Sequence, residues 1–347
     1  MSEDGEKRRA TVHDVAREAG VSLATVDRVL NARPGVRLST AQKVEDAIAA
    51  LEFRRDLSAS LLARSRDLHL RFFIPDGANE FMDNLGAAIA RRARAAKAER
   101  LRIETTRLQA LDAEGLAAAL DALTQKSCDC AVIVATDDPA VTRAVDGAVR
   151  RGVQVLTLVS DLPGSSRRHF IGIDNVAAGR TAASMMGRFC AGGGEIGVIA
   201  GSLGLRDHAE RLQGFLAVIE AEFPQLEIIG PLEGHDRNAE TEALAQRLLG
   251  MEHNLVGLYN LGAGNAGLMS ALAASGRTSQ VSVIVHELTE PTRRGLVSGA
   301  IDVVLDQDPD AEIRAAIAAA RELAHNGPAT LEPGRIEIGI FLRDNLR

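Results

Sequence analysis

The sequence is poor in aromatic residues. It has no tryptophan, one tyrosine and nine phenylalanines in 347 residues, so recognition by ring stacking has few candidates. Cysteine is equally scarce. Cys128, Cys130 and Cys190 cannot build a disulfide framework, and one Cys-x-Cys without a second pair makes a poor zinc site. Their expected role is that of small buried apolar side chains. No run of 18 or more uncharged apolar residues occurs, which argues against a membrane-spanning helix. The opening stretch, MSEDGEKRRA, is charged and has no apolar stretch, so no secretory leader is expected. The eight histidines show neither H-x-x-x-H nor H-E-x-x-H spacing, and no serine has a nucleophile-elbow context. These absences point to a cytoplasmic protein that is not an enzyme and needs no cofactor or metal.

What is present is ample material for a core. Apolar residues make up 46% and charged residues 25%, and the length allows two or three compact units. The net charge of −7 is unevenly spread. Residues 1–66 hold 12 basic and 10 acidic side chains, whereas the remainder holds 28 and 37. Attraction to phosphate is therefore local to a mildly basic head on an acidic body.

Three short helices are expected before residue 54. Thr11 and Asp14 have capping-box spacing, Val12, Val15, Ala16 and Ala19 give a helical face, and Gly20 ends it. Ser22 is placed to cap a second helix with Val26, Val29 and Leu30 on one side. Residues 31–35 (NARPG) break the pattern. Ser39 and Gln42 read as another capping box, opening a helix with Val44, Ala47, Ile48 and Leu51 inward. A capped helix, a tight turn and a second capped helix have helix-turn-helix spacing. On the second helix Leu23 and Ala24 would offer apolar contact to base edges, and Arg28 could pair with guanine. Thr11, Ser22 and Thr25 suit phosphate oxygens.

From residue 68 the texture changes. Strand-like runs at 68–74, 130–135, 153–159, 195–200, 255–261, 281–285 and 301–305 alternate with helical stretches such as 85–99, 113–125 and 139–151. Strands alternating with helices imply parallel βαβ units. Roughly ten strands are too many for one small sheet, so two α/β lobes with a ligand cleft beyond their strand ends are expected.

Residues 11–31 (TVHDVAREAGVSLATVDRVLN) closely resemble the head of LacI-type (lactose and galactose repressor) regulators. The D-V-A-x-x-A-G-V-S and T-V-x-R-V-L-N runs carry the likeness, and Asn31, closing the second, joins the DNA-facing set. Asp27 departs from it, because that family usually has serine there. Residues 56–63 (DLSASLLA) resemble the family's hinge helix, with Leu62 at the position that wedges into the minor groove. Arg55-Asp56 replaces the usual Pro-Asn. Residues 68 to about 340 resemble the ribose-binding type of periplasmic receptor domain, best at 171–180 (IGIDNVAAGR), 210–215 (ERLQGF) and 306–309 (DQDP).

The resemblance implies an all-α helix-turn-helix head over 1–55, a hinge over 56–66 and an α/β effector domain over 67–347. Its lobes would be about 67–165 with 292–325, and about 166–291 with 326–347. It places Asn79, Phe81, Asp161, Asn175, Arg211, Asn260, Glu287 and Gln307 around the ligand. Asp161 enters as a substitute, because Val159-Ser160 stands where ribose receptors carry Asp-Arg. Amides, carboxylates and one arginine suit a hydroxyl-rich molecule. With only Phe81 and Phe73 near for stacking, a small sugar, sugar alcohol or cyclitol fits better than a bulky disaccharide. The implied protein is a homodimeric regulator, by family default a repressor, whose affinity for operator DNA depends on this effector. One rival stays open: residues 262–267 (GAGNAG) are G-x-G-x-x-G after a strand, with Glu287 twenty residues on, which is the pattern of an NAD(H)-binding redox regulator or oxidoreductase.

Overall fold

The computed structural model of the chain describes residues 11–30, 35–51, 67–77, 79–96, 99–250, 254–326 and 336–346. It divides into two compact units, residues 1–68 with 321–332, and residues 69–320 with 333–347. The hinge-like segment and its Leu62 lie outside the described residues, as does Asn31.

The head consists of α1 (Val12–Glu18), α2 (Leu23–Leu30) and α3 (Leu38–Ala50). The Thr11–Asp14 capping box forms: Thr11 N donates to Asp14 Oδ2 at 2.9 Å, and Asp14 N donates to Thr11 Oγ1 at 3.3 Å. Gly20 follows α1 at φ +64°, the left-handed turn that frees the chain to start α2. Val15, Ala16, Val26, Val44 and Ala47 are the buried centre of this small unit. The expected Ser39–Gln42 box does not form. The helix starts earlier, with Arg37 at the N-cap, so Ser39 falls inside the first turn and Gln42 instead donates to Asp46 Oδ1 at 3.0 Å.

The body begins with β1 (Leu68–Asp76), α4 (Glu80–Ala96), β2 (Leu101–Gln109), α5 (Ala113–Asp121), β3 (Cys130–Ile133), α6 (Pro139–Arg150), β4 (Gln154–Leu158) and β5 (His169–Ile171). It continues with α7 (Asn175–Phe189), β6 (Gly194–Ala200), α8 (Arg206–Glu222), β7 (Leu226–Glu233), α9 (Asn238–Gly250), β8 (Leu255–Asn260) and α10 (Asn265–Ser275). β9 (Ser282–His286), α11 (Glu290–Ser298), β10 (Val303–Asp306), α12 (Pro309–Asn326) and β11 (Gly339–Phe341) complete it. The first sheet runs β2-β1-β3-β4-β5 and the second β7-β6-β8-β9-β10-β11, with β11 antiparallel to β10. Both sheets thus repeat one doubly wound strand order, and in such sheets ligands collect at the carboxyl ends where the order reverses.

Two boundaries differ from expectation. β5 pairs with β4, so the first lobe's sheet extends to Ile171 and past residue 165. β10 pairs in parallel with β9 and so belongs to the second lobe, whereas 292–325 was expected in the first. Val303, Val304 and Leu305 are fully buried in that sheet, which is where so apolar a run is most stable. Phe73, a stacking candidate, is packed into the first lobe's core with Val141 and Val155. All three cysteines are buried, and burial pushes the Cys128 thiol up to about 11, far from a reactive thiolate. Among the described residues no helix is long and apolar enough to cross a membrane, and no group of His, Cys, Asp and Glu is arranged to hold a metal ion.

Candidate functional site

In the head, α2 buries Val26 and leaves Ser22, Leu23, Ala24 and Arg28 exposed, with Leu23 42% accessible. An exposed leucine at the start of a short helix has no role in the head's own core. The Ser22 and Thr25 hydroxyls lie 2.9 Å apart, and Thr25 N donates to Ser22 Oγ. The Thr11 hydroxyl donates to Asp14 Oδ2 at 2.7 Å, so in this conformation it serves the cap. Asp27 is half-buried.

In the body, a cleft of about 300 Å³ opens where the carboxyl ends of both sheets face each other. That is the lower end of the size range of small-molecule sites. The first lobe contributes the residues just past β1 to β4, among them Phe81, Met82, Leu111, Val134, Val159 and Ser160. The second contributes Asp207, His208, Arg211, Asp236, Glu287 and Gln307. Leu111, Val159, His235, Asp236 and Glu287 line the cleft with φ between +51° and +72°. Side chains rarely accept that backbone region, and such strain gathers where a site needs it.

Arg211 organises the polar wall. Gly179 on α7 and Gly214 on α8 let the two helices touch backbone to backbone: a Cβ on Gly179 would sit 1.9 Å from Arg211 O. This approach brings Asn175 Oδ1 within 2.9 Å of Arg211 Nε. Arg211 Nη1 donates to Leu261 O at 2.9 Å, and Nη2 reaches Glu287 Oε1 at 3.4 Å. Gln307 Nε2 donates to the same Glu287 oxygen at 2.8 Å. Burial is the main influence on Glu287 and, with Asp306 nearby, outweighs Arg211 to push its carboxyl up to about 8. Fully buried Glu312 is held well above the usual carboxylate range, first by burial and then by Glu287. Asp207 Oδ1, Glu287 Oε2 and Gln307 Oε1 are buried and accept no hydrogen bond from the described residues. A buried polar atom without a partner costs about 1–3 kcal/mol, so these three oxygens mark the wall as built for something else.

Of the residues expected around a ligand, Asn79, Phe81, Arg211, Glu287 and Gln307 line the cleft. Asn79 Oδ1 is occupied in capping α4 through Phe81 N at 3.1 Å. Three others stand elsewhere. Asp161 turns away and is held by Arg167 Nη2 at 2.6 Å and Thr157 Oγ1 at 2.6 Å; Ser160 lines the cleft instead. Asn175 sits behind Arg211 as its brace. Asn260 is buried and holds the next turn, donating to Ala263 O and Asn265 Oδ1. His286, next to Glu287 in the chain, is buried in the core and pairs with the Tyr259 hydroxyl at 2.9 Å. Asp207 and His208 were not expected, although their spacing of four and three residues before Arg211 puts all three on one helix face.

Several contacts span the cleft. Asn238 Nδ2 donates to Glu80 Oε1 at 3.1 Å, Arg206 N donates to Ser160 Oγ at 3.2 Å, and Asp137 N donates to Gly204 O at 3.3 Å.

The glycine-rich turn does not offer a dinucleotide site. Gly267 is required by helix packing, since its Cβ would fall 1.9 Å from Asn238 O. Ala263 N, which would face a pyrophosphate, already donates to Asp236 Oδ1 at 2.7 Å. A carboxylate stands where the phosphates would go, so the NAD(H) reading has no place to bind.

Two lobes of one strand order closing on a polar cleft, in a chain that starts with a helix-turn-helix, define a two-lobed α/β binding protein with a DNA-reading head. Residues 70–328, more than half of the chain, match the periplasmic binding protein domain, and residues 11–56 match the bacterial regulatory proteins of the lacI family. The chain belongs to the periplasmic binding protein domain family and carries a lacI-family helix-turn-helix domain at its head.

The chain is similar to catabolite control protein A of Priestia megaterium, 43% identical over 79 residues, or 23% of this chain and 24% of that protein. It is 45% identical over 71 residues to the HTH-type transcriptional regulator RegA of Clostridium saccharobutylicum, covering 20% and 21%. The matches therefore span about a quarter or less of these curated relatives. In fold it resembles an ABC transporter solute-binding protein from Burkholderia graminis in complex with D-arabinose, with a TM-score of 0.75 and 22% identity over 81% of this chain and 97% of that one. A glucose-galactose binding protein from Geobacillus stearothermophilus gives 0.73 and 19%, over 81% and 99%.

Proposed function

We propose that this chain is a cytoplasmic, sequence-specific transcriptional repressor whose affinity for operator DNA is set by a small sugar, sugar alcohol or cyclitol held between the two lobes. The observation that carries the effector half is the set of three buried oxygens without a protein partner on a cleft wall of this size. Hydroxyl groups can donate to Asp207 Oδ1 and Gln307 Oε1 and accept from the protonated Glu287 carboxyl. The domain reading is a head over 1–55, a hinge over 56–66 and an effector domain beyond.

The head acts as one of a pair. One helix-turn-helix reads half of a palindromic operator, so a homodimer reads both halves. Leu23, Ala24 and Arg28 face the bases, with Ser22 and Thr25 at the phosphates, and Asn31 and Leu62 complete the DNA-facing set. The effector changes operator affinity only through its different affinity for the DNA-competent and incompetent states. As an inducer it favours the state that releases DNA.

Electrophoretic mobility shift with a selected operator, repeated across a panel of pentoses, hexoses, alditols and inositols, tests the reading. At least one compound is expected to weaken operator binding roughly 5- to 150-fold. Isothermal titration that detects none of the panel binding to the protein refutes the effector half. Arg28→Ala is expected to relax base preference at one operator position, at a cost of about 1–3 kcal/mol. A uniform loss across all operator sequences would instead make Arg28 a phosphate contact.

A further inference from the structure

We infer that Asp207 is a specificity-determining residue of the cleft, and that it selects a ligand group that donates hydrogen bonds, so that hydroxyls are accepted while sugar acids and sugar phosphates are rejected. The inference rests on the polyol reading above and narrows it.

Asp207 stands in the first turn of α8, one turn ahead of Arg211, where the helix dipole favours an acidic side chain. It lines the cleft and is 4% exposed. Among the described residues its Oδ1 accepts no hydrogen bond, and His208 Nε2 stands 3.7 Å from its Oδ2. Gln307, 1% exposed, adds a second acceptor: its amide nitrogen is committed to Glu287, leaving its oxygen toward the ligand.

The groups that would welcome an anion are largely engaged. Arg211 gives one N–H from each of Nε, Nη1 and Nη2 to Asn175, Leu261 O and Glu287, three of its five donors. Arg237, the other guanidinium of the cleft, is paired with Glu240 at 2.8 Å. Ala263 N at the glycine-rich turn is filled by Asp236. A ligand carboxylate or phosphate beside Asp207 would meet a like charge at its Oδ1, whereas a hydroxyl would satisfy that oxygen.

The test is isothermal titration of the full-length protein against matched sets: neutral pentoses, hexoses, alditols and inositols, each beside its uronate or aldonate and its monophosphate. The neutral member of a binding set should be tighter by roughly 100-fold or more. Asp207→Asn keeps the shape and should weaken the neutral ligand roughly tenfold while narrowing its advantage over the acid. An acid or phosphate binding better than its neutral parent overturns the inference, and so does an Asp207→Asn protein with unchanged melting temperature, unchanged neutral-ligand affinity and an unchanged neutral-over-acid ratio. Those outcomes leave the polyol reading standing. Binding by no member of any set removes both. The wild-type ranking decides the matter even where the variant fails to fold.

Discussion

The two walls of the cleft are made of different materials. The first lobe presents Pro75, Phe81, Met82, Ala110, Leu111, Val134 and Val159, with Asn79, Gln109, Thr136 and Ser160 as uncharged polar groups and Asp76 as its one titratable side chain among the described residues. The second presents Asp207, His208, Arg211, His235, Asp236, Arg237 and Glu287. Both walls stand on sheets of the same strand order, so the fold does not dictate the difference. It lies in which side chains follow each strand. Directional hydrogen bonding is concentrated on the second lobe, while the first supplies an apolar surface that excludes water when the lobes meet. A ligand is therefore read on one side and enclosed on the other. Lower local polarity in the closed cleft strengthens every hydrogen bond made on the reading side.

The sharpest way to break this comparison is to remove the cation of the polar wall. Arg211→Ala leaves Glu287 and Asn175 without their shared partner in a buried setting, at about 1–3 kcal/mol for each polar group left unpaired. Effector binding should fall by 100-fold or more in titration calorimetry, with a lower melting temperature. Operator binding by the folded variant should persist. Loss of DNA binding with the fold intact would show that the two activities are not divided between head and body as proposed.

The next effect is pH dependence. Glu287 is pushed from 4.5 up to about 8, so the folded body holds a proton that the unfolded chain gives up earlier. Its contribution is fully present below about pH 4.5 and is lost as pH rises through about 8. Stability should therefore fall between pH 6 and 8 by roughly 2 kcal/mol at 1.36 kcal/mol per unit, and Glu287→Gln should flatten that slope. Buried Glu312 and Asp306, both raised, act in the same direction, so the variant removes part of the slope and leaves the rest. Urea denaturation of both proteins at several pH values measures this. Equal slopes would remove Glu287 as a source.

The two walls were not equally legible in the sequence. Central strands such as β3 and β8 appear as continuous apolar runs because both of their faces are covered. Edge strands β2 and β7 alternate buried and exposed positions, and the sequence reading passed over them. Arg211, Glu287 and Gln307 were found because they sit in recognisable motifs or directly after strands. Asp207 and His208 belong to no motif; their helix spacing from Arg211 was the only signal. Asp161 shows the opposite error. Its loop does reach the cleft, but Arg167, six residues on, captures the carboxylate, and no local pattern announces which way such a side chain turns. The apolar wall was the least visible, since Met82, Val134 and Val159 read as ordinary core until the start of α4 and the turns after β3 and β4 bring them to one surface.

Truncating that wall should have a smaller and different effect. Val134→Ala, at a position 7% exposed, removes two methyl groups from the enclosing surface without touching a hydrogen bond. At about 0.8 kcal/mol per buried carbon, two carbons amount to about 1.6 kcal/mol, and effector affinity should weaken by roughly fifteenfold, with every ligand in a panel affected alike. A change in ligand ranking would mean that the first lobe also reads identity, and the division between the walls would fail.

The smallest effect is expected across the mouth. Asn238→Asp keeps the oxygen that accepts from Gly267 N at 3.3 Å but deletes the hydrogen bond donated to Glu80, a half-buried contact that joins the walls. A neutral amide donor to a carboxylate in that setting contributes about 1 kcal/mol, and only in the closed state. Effector affinity should drop roughly three- to fivefold, through faster dissociation with an unchanged association rate, since the contact forms after the ligand has met the second lobe. Stopped-flow kinetics separates the two. A slower association rate with unchanged dissociation would mean that closure precedes binding, and the second lobe would then not be the surface the ligand meets first.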